Sequence, residues 1–97
     1  MAIKNTSAGE RVKAMELAFD RAVEIIRSPS PDIHALRKIK DTVAELKEYQ
    51  TSGLWLKDFE SEEAGKLPEG IRCGVLSEDG LYNLLIDYDR IIRELEE

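Results

Sequence analysis

Seven apolar residues, Leu81, Leu84, Leu85, Tyr88, Ile91, Ile92 and Leu95, recur at steps of three and four, the period that gathers them on one side of an α-helix. A stripe that wide must be covered by other helices. It therefore sets the fold class as all-α and predicts a helix over about 78–95, capped by Ser77 with Glu78 and Asp79 in its positive first turn. Asp79-Gly80 as a hairpin turn is the competing reading, and the apolar spacing that follows outweighs it.

Two more stripes supply the cover. Val12, Met15, Phe19, Ala22 and Ile26, widened by Ala18, Val23 and Ile25, predict a helix over about 8–27, opened by a capping box of Ser7 and Glu10. Ser28-Pro29-Ser30-Pro31 ends it, because proline lacks an amide hydrogen and turns the preceding residue away from helical angles. Ser30 as cap, Pro31 in the first position and Asp32 behind them then start a helix over about 31–50, with Leu36, Ile39, Val43 and Leu46 inward. So short a link makes the pair an antiparallel hairpin. Gly53, free to take the left-handed conformation, closes it.

Trp55 and Phe59, flanked by Leu54 and Leu56, predict a short helix over about 55–64 with Lys57, Asp58, Glu60, Glu62 and Glu63 on its other face. Residues 66–76 read as an ordered connector anchored by Ile71, Val75 and Leu76. The expectation is a small helical bundle of three long helices, one short helix and a connector, in a single domain over 1–97 with residues 1–6 disordered. A chain of 97 residues is long enough to bury a core without covalent staples.

Charge narrows the partners. Residues 1–50 hold 9 basic against 8 acidic side chains and residues 51–97 hold 5 against 12, making up the net charge of −6. Nucleic acid and anionic lipid are thereby disfavoured as direct ligands, since both reward a basic surface. Cys73 alone cannot form an internal disulfide, and with His34 it falls short of any four-ligand zinc pattern. No stretch has the apolar length of a membrane span, and the N-terminus lacks a secretory apolar core, so the expected location is the cytoplasm.

The segments W-L-K-D-F-E (55–60), E-A-G-K-L-P (63–68) and G-V-L-S-E-D-G-L-Y (74–82) together resemble a family of short bacterial proteins catalogued only as a domain of unknown function. The likeness runs from about Tyr49 to Tyr88, and implies a small, mostly helical protein with no established activity and no catalytic residue to carry over. The chain departs from the pattern at Leu56, where a charged residue is usual, and at Cys73, which separates Arg72 from Gly74.

The functional reading is a non-enzymatic module that binds a protein partner, basic in character, through an acidic face. Its candidate residues are Lys57, Asp58, Glu60, Glu62, Glu63, Arg72 and Asp79. An inhibitor that mimics nucleic acid is the alternative. A weaker one is an enzyme using Asp58 and Glu62, one turn apart, as paired carboxylates or as ligands of a hard cation. Against it, salt bridges of these acids to Lys66 and Arg72 are the simpler expectation. Gly65-Lys66 is not a phosphate loop, because Glu60 stands where the first glycine belongs and Leu67 where Ser or Thr belongs. No cofactor or metal is implied. Homodimerisation fits all three readings. Trp55 and Phe59 are expected to close the open end of the hairpin. The row Glu16, Asp20, Glu24 is expected to face Arg37 and Lys40, and Cys73 is expected in a loop whose neighbour Arg72 would lower its pKa unless burial prevails.

Overall fold

A computed structural model describes residues 8–67, 69–70, 73–77 and 79–96, and among them the chain is helical without a strand. In order these are α1 (Ala8–Ile26), α2 (Ile33–Lys38), α3 (Lys40–Thr51), α4 (Leu54–Glu63), a 3-10 turn at Gly74–Leu76 and α5 (Gly80–Glu96). The all-α bundle is therefore the fold. Ser7, Pro68, Ile71, Arg72 and Glu78, together with the segment expected to be disordered, lie outside the described residues.

The three stripes meet as their spacing requires. Helix α1 packs on α3 and α5, and the 3-10 turn packs on both α1 and α5. Val12, Leu36, Ile39, Leu46, Val75, Leu81 and Leu84 are essentially without solvent contact. Each such side chain contributes roughly 1.5–3 kcal/mol when fully buried. The ion pairs across the bundle, Arg27 to Asp87 at 3.0 Å and Arg37 to Glu96 at 3.2 Å, are exposed and contribute at most about 1 kcal/mol each. Apolar packing holds α5 in place. Among the described residues no helix is long and apolar enough to cross a membrane.

The predicted helix over 31–50 is two helices. It breaks at Ile39, which has φ −95° and ψ 12° and is fully buried. The Leu36 carbonyl, which an unbroken helix would offer to the Lys40 N–H, accepts the Tyr88 hydroxyl at 3.2 Å. A side chain inserted into the backbone ladder is a recognised cause of such a break. The start also lies two residues later than expected. Asp32, in extended conformation, is the cap and accepts from the His34 N–H at 3.2 Å, so Pro31 precedes the helix. Helix α5 likewise begins at Gly80, and Ser77, in extended conformation, follows the 3-10 turn with its hydroxyl beside Gly80.

Gly53 does as expected, with φ +92°. It follows the C-cap Ser52 of α3 and is itself the N-cap of α4. This one left-handed residue turns the chain so that α4 folds back against the end of the hairpin.

Candidate functional site

Helix α4 presents Trp55, Asp58 and Phe59 at positions i, i+3 and i+4, so whatever turns the aromatic pair inward turns Asp58 inward too. Asp58 is completely buried, while Leu54 and Leu56 are exposed. The expectation that Asp58 belongs to an outward acidic face is thus corrected. It is also not paired with Lys66. Its Oδ2 accepts from Arg11 Nε at 2.8 Å and from the Tyr49 hydroxyl at 2.7 Å, and its Oδ1 accepts from Arg11 Nη2. A two-pronged guanidinium contact plus a phenol leaves the carboxylate fully satisfied in a dry site. These bonds tie α4 to α1 and α3 at once.

The surroundings shift the partners accordingly. Tyr49 is held well above the usual phenol range, first by burial, then by its hydrogen bond to Asp58 and the charge there. The Arg11 guanidinium is raised, chiefly by the Asp58 hydrogen bond, against the opposing effect of burial. A phenol raised in the folded state stays protonated there while the unfolded chain loses its proton. Stability is therefore intact below about pH 10 and falls as pH rises beyond it. Urea midpoints of the wild type are expected to fall steeply as the pH rises above about 10, and those of Tyr49→Phe to fall less steeply. Equal slopes would mean that Tyr49 does not carry this limb.

A second polar constellation holds the connector. Glu16, buried on α1, accepts the Val75 N–H at 2.8 Å, and Trp55 Nε1 donates to the Val75 carbonyl at 2.9 Å. The backbone of one residue in the 3-10 turn is thus held at both its N–H and its carbonyl by side chains from two helices. Glu16 thus points into the molecule, not toward Arg37 and Lys40 as its acidic row suggested, and Arg37 pairs with Glu96 instead. Gly74 belongs to the same device, because a Cβ there would stand 3.1 Å from Glu16 Oε2. Glu16→Ala is expected to destabilise by about 1–3 kcal/mol through the orphaned amide. Gly74→Ala is expected to cost less, about 1 kcal/mol, because it only displaces the carboxylate. Chemical denaturation of both variants checks the order, and a larger loss in Gly74→Ala would contradict it.

Cys73 stands beside this grip, half-buried. Its thiol is pushed up by burial first and by the Glu62 and Glu16 carboxylates next, so of the two effects weighed for Cys73 it is burial that prevails. Trp55 and Phe59 stack with ring centroids 5.1 Å apart and planes 14° from parallel, and Trp55 packs against the core.

The remaining predicted residues divide plainly. Lys57, Glu60, Glu62, Glu63 and Asp79 are exposed, and Arg72 lies outside the described residues. Asp58 and Glu62 do not converge, since one is enclosed and the other faces water. Among the described residues no three His, Cys, Asp or Glu side chains gather as a metal set. Reading the sequence missed Arg11, Glu16 and Tyr49 as polar anchors. The signal was present in α1, where Arg11 shares the step 11, 15, 18, 22 and Glu16 the step 12, 16, 19, 23 with apolar residues.

A groove of about 340 Å³ opens between α1 and α3, with Arg11 and Tyr49 at its inner end and Ala14, Met15, Glu45 and Glu48 along it. A family model described as a domain of unknown function, DUF4298, matches residues 12–97. The chain belongs to this family. The matched span contains Tyr49 and Asp58 of the first constellation and Glu16, Trp55 and Val75 of the second. No curated protein and no solved structure matches this DUF4298 chain.

Proposed function

We propose that this DUF4298 chain is a non-enzymatic interaction module that engages a protein partner through the outer face of α4 and the connector behind it. The observation that carries the reading is a division of labour among charges. Arg11, Glu16, Tyr49 and Asp58 are spent on hydrogen bonds that hold the fold, whereas Glu60, Glu62, Glu63, Glu69 and Asp79 face solvent. Leu54 and Leu56 also stand exposed on the same short helix, one on each side of the outer face that carries Lys57 and Glu60. The corrected set of contact residues is Lys57, Glu60, Glu62, Glu63 and Asp79, with Asp58 removed. A basic partner is favoured by this charge.

Affinity capture from a lysate of the source cells, with wild type beside Glu60→Lys/Glu62→Lys/Glu63→Lys, tests the reading. The expected result is a partner retained by the wild type in low salt, lost with the variant, and released as salt shortens the screening length from about 10 Å toward about 3 Å. Equal retention by both, or retention of nothing, would overturn it.

A further inference from the structure

The groove between α1 and α3 is not part of the α4 face, and its two edges differ in chemistry. Ala14 and Met15 form the edge on α1. Ala14 is exposed there and Met15 half-buried, so this edge offers apolar surface to a ligand. Glu45 and Glu48, one turn apart on α3, form the other edge. Both are exposed, and neither has an ion-pair partner among the described residues. Lys13 and Lys47 lie roughly half a turn round their helices from the groove, at about 100° per residue, and leave its acidic character intact. Arg11 adds no net charge at the inner end, because Asp58 already holds its guanidinium.

An apolar edge facing an acidic edge, with a floor fixed by hydrogen bonds, selects a ligand that is apolar along one side and cationic along the other. Lysine and arginine suit the acidic edge, since their aliphatic stems lie on apolar surface while the charged heads reach outward. A helix bearing such residues at steps of three and four presents both characters at once, and helix-in-groove docking is a common form of peptide recognition. We propose that the α1/α3 groove binds an amphipathic helix of a protein partner, with apolar residues on Ala14 and Met15 and Lys or Arg residues on Glu45 and Glu48. This rests on the reading of the chain as an interaction module, and places a second contact on a different surface from α4.

The test uses a fluorescent helical peptide of Leu and Lys, about 14 residues or roughly 21 Å long, against the full chain, with a Leu and Glu peptide of the same pattern as control. The Leu/Lys peptide is expected to bind and to shift the amide resonances of Ala14, Met15, Glu45 and Glu48. Glu45→Gln/Glu48→Gln is expected to weaken it about tenfold, equivalent to about 1.4 kcal/mol. Ala14→Arg, which puts bulk and like charge into the groove at an exposed position, is expected to abolish binding while leaving the thermal midpoint unchanged. Glu60→Lys/Glu62→Lys/Glu63→Lys is expected to bind the peptide as the wild type does. Equal affinity in the groove variants, binding of the Leu/Glu peptide, or shifts confined to α4 would overturn the groove assignment. Loss of peptide binding in the α4 variant alone would overturn it too, while supporting the α4 face. Failure of lysate capture with intact peptide binding would overturn the α4 reading only.

Discussion

Alanine in place of Asp58 is expected to remove about 3 kcal/mol of stability, at the lower end of the range for breaking a buried ion pair. The substitution deletes the one acceptor shared by Arg11 and Tyr49, so a guanidinium and a phenol are left under α4 with nothing to receive their hydrogens. Arg11 keeps 18% of its side chain in contact with solvent, which limits the loss because water can reach part of the cation. In a domain of this size each kcal/mol moves the thermal midpoint by about 4–8 °C, so a fall of roughly 12–24 °C is expected. Asp58→Asn, which keeps one acceptor oxygen, should lose less. Arg11→Met/Asp58→Leu should recover most of the loss, because replacing a whole buried pair by apolar groups removes the uncompensated charge along with the bond. Urea and thermal unfolding of the four proteins decide it. A change within about 0.5 kcal/mol for Asp58→Ala, the size seen at open surface sites, would return Asp58 to the outward face that its charged neighbours suggested.

That contrast shows what the sequence carried and what it did not. Helix class and approximate extents follow from apolar spacing, because burial of a stripe dominates local preference, and the ends of α1, α4 and α5 fall close to where the stripes stop. The break at Ile39 was not legible, since the hydroxyl that takes up the freed Leu36 carbonyl belongs to Tyr88, 52 residues along the chain. Asp58 was half legible. Its position three residues after Trp55 requires it to face inward, but the partner that makes this tolerable, Arg11, is 47 residues away. Composition misleads at such places: a charged residue on a helix rich in charge is read as solvated. Its angular position on the helix was the better guide. The same holds for Glu16, whose neighbours Asp20 and Glu24 suggested a surface row while its spacing from Val12 and Phe19 placed it among apolar residues. The groove could not be foreseen in any form, because it depends on how α3 lies against α1.

Trp55→Ala is expected to be the other severe change, by about 3 kcal/mol, the lower end for removing a large aromatic from a core, because Trp55 is only half-buried. Three losses combine. The ring leaves the stack with Phe59, the packing between α4 and the 3-10 turn opens, and the Val75 carbonyl loses the indole N–H that reaches it at 2.9 Å. Trp55→Phe separates these, since it keeps an aromatic ring and deletes only the donor, and about 1 kcal/mol is expected for that hydrogen bond. A local effect should accompany the global one. Val75 is then gripped from one side only, by Glu16, so hydrogen exchange at the Val75 amide should accelerate in Trp55→Phe by more than the change in global stability accounts for, through local opening of the connector. If instead Trp55→Ala changed stability by less than about 0.5 kcal/mol and abolished partner capture, the indole would be a docking residue. The connector would then be held by Glu16 and by apolar packing that includes Val75 and Leu76.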